Sequence, residues 1–250
     1  MSKTQIVTGG IADDAVSEEH LDATAITGST ELAATPADTD EILISDAGTL
    51  KRIDFSHIKS DPTHVLLDDT YISSNTANVT YSSSLITDTY EQYIITGTGI
   101  RCHTNAKGNV IVYVSSDNGS SYHTTDGDYT RSVYVGQTGA GSNTLINRNG
   151  SAGAMELTGN AYDFGKDGNA GGTANFIFRC YNLRNLDTDT AVNRYFDLQC
   201  THDDRDSTHN VSCVGGFFFM DGTAEINNIK LEISHSNTFG EGEFRLYGVK

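Results

Sequence analysis

The sequence has no tryptophan and only two prolines, Pro36 and Pro62, both in its first quarter. Positive charge is scarce: 16 lysines and arginines face 33 aspartates and glutamates, a formal net charge of −17. Binding to nucleic acid needs a basic stripe that neutralises phosphates, and none is present. An anionic lipid surface would repel such a chain for the same reason. The excess of acid suits solubility, work at high salt, or bound cations. No run approaches the roughly 20 apolar residues of a membrane span, so membrane insertion is not expected. The opening Met1-Ser2-Lys3-Thr4-Gln5 lacks a basic region followed by an apolar one. The expectation is a protein made in the cytoplasm and not exported by the secretory route.

Cysteine is sparse too. Cys102, Cys180, Cys200 and Cys213 are widely spaced, with no CxxC pair, so a zinc knuckle is not expected. They lie in or beside apolar runs and read as free thiols packed as small apolar residues. The catalytic signatures GxSxG and HExxH and a phosphate-binding glycine loop are missing. Glycoside hydrolysis needs two carboxylates at a fixed separation, and 33 scattered acids single out no such pair. The stacking repeats of a long β-helix are absent as well. The chain reads as a non-enzyme.

What is present is strand signal. Val110, Val112 and Val114 alternate along one face, as do Ile229, Leu231 and Ile233 against Lys230 and Glu232. Phe244 and Leu246 alternate with Arg245 and Tyr247. Further runs are Tyr93-Ile94-Ile95-Thr96, Phe176-Ile177-Phe178-Arg179-Cys180-Tyr181, Tyr195-Phe196-Asp197-Leu198-Gln199-Cys200 and Val211-Ser212-Cys213-Val214. Gly215-Gly216 then interrupt before Phe217-Phe218-Phe219. Period-2 alternation buries one face and wets the other, which builds antiparallel sheets packed face to face. The fold expected is mostly β: an antiparallel, jelly-roll-like sandwich over residues 63–250, preceded by a small helix and hairpin region over 1–62.

That first region differs in texture. Residues 17–26 read as a short helix capped by Ser17 and ended by Gly28. Glu41-Ile42-Leu43-Ile44 and Leu50-Lys51-Arg52-Ile53 flank Asp46-Ala47-Gly48-Thr49 and read as a β-hairpin. A helical turn over 55–59 follows. So little apolar surface is not stable alone, and oligomerisation is the remedy available to it. Leu21, Ile26, Ile42, Ile44 and Ile53 are the candidate association residues.

Residues 122–172 are rich in Gly, Ser, Asn and Asp and read as hairpins and long loops at one end of the sandwich. Tyr122, His123, Tyr129, Tyr134 and Tyr162 fall in or beside them. Aromatic rings beside polar groups can stack on sugars, and the alternative is that they are buried or interface tyrosines. His202, Asp203, Asp204, Asp206 and His209 form the densest set of metal-ligand residue types. The oxygen-rich part suits Ca²⁺, although Arg205 partly neutralises it and a solvated turn is the alternative. Ser115-Ser116-Asp117-Asn118-Gly119-Ser120-Ser121-Tyr122 fits the Asp-box pattern of sialidase propellers. A single copy reads as a turn device, not as a blade of a propeller.

Three segments resemble one family. Thr30-Glu31-Leu32-Ala33, Pro36 and Asp40-Glu41-Ile42-Leu43-Ile44, continuing to Ile53, look like a short module near the N-termini of phage fibre proteins. Glu243-Phe244-Arg245-Leu246-Tyr247-Gly248-Val249-Lys250 is similar to the last strand of sandwich domains in tail fibres of environmental, often marine, phages. Tyr93-Ile94-Ile95-Thr96-Gly97, leading into Val110–Val114 and Ser116-Asp117-Asn118-Gly119, is the third. The resemblance to phage tail-fibre and related virion structural proteins implies a virion location and a homotrimer. It further implies docking to other virion proteins through the N-terminal region, and a head that attaches to a host surface glycan or protein. A structural adaptor or decoration protein without its own receptor is the alternative, and a glycan-processing enzyme a more distant one.

Overall fold

The computed structural model describes residues 27–59, 62–103, 107–139, 142–158, 164–167, 170–184, 194–203, 209–220 and 225–250. The helix expected over 17–26, with Leu21 and Ile26, lies outside them. The chain divides into two units, Met1–Asp61 and Pro62–Lys250.

In the first unit, β1 (Glu41–Asp46) and β2 (Thr49–Asp54) form an antiparallel hairpin. Ala47 (φ 51°) and Gly48 (φ 82°) make its two-residue turn, the left-handed pair that matches strand twist. Ile42 stands opposite Ile53, and Ile44 opposite Lys51. A 3-10 turn, Phe55–His57, follows, and the Phe55 amide bonds back to the Asp40 carbonyl at 2.7 Å. No described residue of this unit is buried, and Leu43 is 69% exposed. A two-stranded hairpin that buries nothing is marginal in water.

The second unit holds fifteen strands among its described residues: β3 (His64–Ile72), β4 (Asn78–Tyr81), β5 (Gln92–Cys102), β6 (Lys107–Gly108), β7 (Val110–Ser115), β8 (Tyr129–Gly139), β9 (Ser142–Ala152), β10 (Met155–Glu156), β11 (Phe164–Asp167), β12 (Ala170–Gly171), β13 (Ala174–Tyr181), β14 (Arg194–Asp203), β15 (His209–Phe219), β16 (Asn228–Ile233) and β17 (Phe239–Val249). Eight form one sheet in the order β3-β17-β5-β13-β14-β15-β8-β9, and four form another in the order β10-β7-β16-β4. β12, β11 and β6 make a small third sheet. The fold is therefore mostly β, with antiparallel sheets packed into a sandwich, though the two main sheets are unequal.

Alternation explains the core. β14 reads buried and exposed in strict turn, placing Phe196, Leu198 and Cys200 inward. Phe178 stacks on Phe196 with centroids 5.5 Å apart, and Phe217 meets Phe178 edge-on at 6.4 Å. From the four-stranded sheet, Val110, Val112, Val114, Ile229 and Leu231 join the same buried cluster. Tyr129 of β8 ties the layers together: its hydroxyl accepts the Val114 amide proton at 3.1 Å and donates to the His123 carbonyl at 3.0 Å.

One expectation needs correcting. Gly215-Gly216 do not interrupt a strand, because β15 runs through both. Within the stretch expected to hold hairpins and long loops, residues 129–152 form a long hairpin at the sheet edge, β8 with β9. Their polar composition reflects an edge hairpin whose outer face is wet.

Candidate binding face

Strand register places side chains from distant parts of the chain side by side on the outer face of the eight-stranded sheet. One row runs Asp69, Arg245, Thr96, Ile177, Gln199, Val214, Tyr134, Asn147. The next begins Leu66, Tyr247, Ile94, Arg179, Asp197, Gly216. A third brings together Tyr181, Tyr195 and Phe218.

This face carries exposed apolar side chains. Seven large apolar residues of the second unit are exposed among the described residues, and six lie here: Leu66, Tyr71, Tyr134, Leu145, Tyr195 and Val214. Met220 is the seventh. The six spread from β3 at one edge to β9 at the other, with Val214, Tyr134 and Leu145 on adjacent strands; exposed apolar surface that is contiguous marks a binding or assembly site.

Polar groups are set among them. A groove of about 700 Å³ is lined by Thr96, Thr98, Gln199, Thr201, Ser212, Arg245 and Tyr247, with Ile177 and Val214 as its apolar side chains. Arg245 is held by Asp69 at 3.3 Å and Glu243 at 2.5 Å, and the Asp69 bond pushes its already high pKa further up. A smaller hollow of about 280 Å³ lies over Gly216, bounded by Ser132, Tyr195, Asp197 and Phe218. The Tyr181 hydroxyl donates to Asp197 at 3.0 Å, and burial followed by that bond pushes the phenol pKa up. Such a surface offers hydroxyl, amide and guanidinium groups between apolar platforms. No aspartate or glutamate is among the described residues that line the groove.

The residues expected to bind glycan are not brought together. Tyr134 alone sits on this face, 45% exposed. Tyr129 is fully buried with its hydroxyl engaged by backbone, so it is a core residue out of a ligand's reach. Tyr122 is half-buried, donates to Asn228 at 2.9 Å and carries the Lys230 ammonium 4.4 Å above its ring. His123 packs edge-on against Phe219 at 4.8 Å. Tyr162 lies outside the described residues.

The metal candidates fare similarly. His202 is 4% exposed, and its two ring nitrogens lie 3.0 Å from the carbonyl oxygens of Asp203 and Thr158. Both nitrogens are thus engaged in structural bonds. Asp203 is half-buried; Asp204, Asp206 and the His209 side chain lie outside the described residues. No group of three or more ligand side chains suited to a metal occurs among the described residues. Of the association candidates, Ile42 is 43% exposed, and Ile44 and Ile53 are half-buried.

The Asp-box segment builds a turn. Asp117 accepts from the Ser115 hydroxyl (2.7 Å), the Ser121 amide (2.9 Å) and the Ser121 hydroxyl (2.6 Å), while Asn118 (φ 59°) and Gly119 (φ 86°) take left-handed backbone. These bonds, led by the one from the Ser121 hydroxyl, hold the Asp117 carboxyl at about 2, below its ordinary 3.8. A carboxyl depressed in the folded state stabilises above its unfolded pKa and loses that contribution as pH falls through the folded one. The stability gap between the native chain and Asp117→Asn is therefore expected to be constant above pH 4 and to shrink between 3.8 and 2. Denaturant melts across that range check it; a gap that widens toward low pH would contradict it.

The groove residues that the sequence reading missed sit on five strands drawn from across the second unit. A signal existed, since Phe217-Phe218-Phe219 and Ile94-Ile95 put apolar residues on both faces of a strand. No family model matches this chain, and neither a curated protein nor a solved structure matches it.

Proposed function

We propose that this chain is a non-enzymatic structural protein of a bacteriophage particle, a trimeric tail fibre or spike assembled in the host cytoplasm. Its N-terminal unit joins the trimer and the particle, and its β-sandwich head adheres to a host surface glycan. The observation that carries the reading is the outer face of the eight-stranded sheet. Exposed aromatic and aliphatic side chains there surround a groove of hydroxyl, amide and guanidinium groups. Sugars present the complementary pair of surfaces, apolar ring faces and equatorial hydroxyls.

Tyr247→Ala tests this reading, because it removes the aromatic wall of the groove from an outward position on β17. Retention of the head on immobilised bacterial surface polysaccharides should weaken about tenfold, roughly 1.4 kcal/mol, with the thermal midpoint nearly unchanged. If the native head is retained by no polysaccharide, or the variant binds equally well, the adhesion reading fails.

A second reading rests on Leu145 (73% exposed), Val214 (54%) and Leu66 (50%) of the same face. A structural adaptor or decoration protein would cover these side chains with a neighbouring virion protein. In that case the native head stays bound to purified particles and ignores polysaccharide.

A further inference from the structure

Cys200 of β14 and Cys213 of β15 are direct partners in the antiparallel ladder. Both side chains point into the core, 4% and 2% exposed, and both thiols are free. Opposed residues in an antiparallel pair have Cα atoms ~4.5 or ~5.5 Å apart, depending on the site in the ladder. Disulfides span ~4.4–6.8 Å, so either spacing admits a bridge without backbone movement.

A third group acts on the pair. His202, two residues along β14 on the same face, has each ring nitrogen 3.0 Å from a carbonyl oxygen. Both ring nitrogens are thus held by backbone. Burial alone would lower the ring's pKa, but its Cys213 and carbonyl neighbours more than reverse that. The two thiols also act on each other: each is the chief cause of the other's shift, with Cys213 lowered and Cys200 raised.

We infer that Cys200 and Cys213 are a redox-responsive pair that closes a disulfide between β14 and β15 when the chain meets a peroxide. The step is written with Cys213 attacking and Cys200 resolving; the reverse order gives the same disulfide. The Cys213 thiolate attacks one peroxide oxygen and the O–O bond breaks. The departing hydroxide takes a proton to leave as water, and Cys213 becomes a sulfenic acid. Cys200 then attacks the Cys213 sulfur, the S–O bond breaks, and hydroxide leaves with the Cys200 proton as a second water. Two thiols and one peroxide yield one disulfide and two waters, with sulfur oxidised and peroxide oxygen reduced.

The other cysteines have no such arrangement. Cys180 stands opposite Phe196 and Tyr93, and burial pushes its thiol far up. Cys102 stands opposite Phe239, and its sulfur lies 3.8 Å from the Phe164 carbonyl.

The test treats the full folded chain with hydrogen peroxide, digests it without reduction and maps the peptides by mass spectrometry. The expected product is one intramolecular crosslink between Cys200 and Cys213, lighter by two hydrogens and reversed by dithiothreitol. Closing that short loop should raise the thermal midpoint by roughly 6–12 °C. Cys200→Ser should yield a Cys213 sulfenic acid that dimedone traps, while Cys180→Ala keeps the crosslink. Oxidation first at Cys102 or Cys180, crosslinks only between chains, or a chain that stays reduced until it unfolds would each overturn the proposal. The native-chain map decides the matter even if a variant fails to fold.

Discussion

Gly215→Ala is expected to destabilise the second unit by about 3 kcal/mol or more, a large loss for adding one methyl group. Gly215 lies on β15 between β14 and β8, opposite Leu198 and Val133. A Cβ there would stand 2.2 Å from the Ser132 carbonyl oxygen and 2.6 Å from the Val133 Cα. Both atoms are backbone of the neighbouring strand and cannot rotate away as a side-chain tip would. The strands must part, which stretches the ladder that β15 shares with β8. Separation would also displace Phe217 and Cys213, two buried neighbours on the same inner face.

In a domain of this size the loss should lower the thermal midpoint by roughly 6–12 °C. Gly136→Ala is the control. It sits on β8, and an added Cβ meets nothing closer than the Ser212 carbonyl oxygen at 3.9 Å. Its effect should stay within about 0.5 kcal/mol. Equal losses at the two sites in denaturant melts would show that flexibility, and not close approach, is what the glycines supply.

The same glycine shows where sequence reasoning stops. A Gly-Gly pair in an apolar run signals a break when only neighbours along the chain are considered. The reason for glycine here is a neighbouring backbone more than 80 positions away. Alternation made many strands legible: β5, β7, β13, β14, β16 and β17 all carry it, as does the hairpin turn at Ala47-Gly48. It did not reveal partners. β16 and β17 are consecutive and alike in pattern, yet they belong to different sheets, and β17 lies between β3 and β5.

The binding face was illegible for the same reason. It depends on register among strands that are remote in sequence, so Thr96, Gln199 and Arg245 look like ordinary outward residues until the ladder aligns them. Loop composition drew attention instead to Tyr122, His123 and Tyr129, whose roles are packing and hydrogen bonding. His202, expected as a metal ligand, is buried in the core with both ring nitrogens 3.0 Å from backbone carbonyl oxygens.

Removing residues 1–61 is expected to lower the mass in solution about fourfold, from three full chains to one shortened chain. The first unit exposes Ile42 and Leu43, half-buries Ile44 and Ile53, and has no buried residue among those described. Its ion pairs among the described residues, Lys51 with Asp46, Arg52 with Glu41 at 2.6 Å and Lys59 with Asp38, are exposed and contribute ~0–1 kcal/mol each. Neither apolar burial nor charge pairing among the described residues accounts for a stable hairpin, and the proposed trimer would supply the missing burial. The second unit carries a core of its own: every described core residue lies within 62–250. Light scattering on the full chain and on residues 62–250 is the decisive measurement. The account predicts three times the 26.9 kDa chain mass for the first and a single chain for the second. A monomeric full chain, or a trimer that survives the truncation, would contradict it.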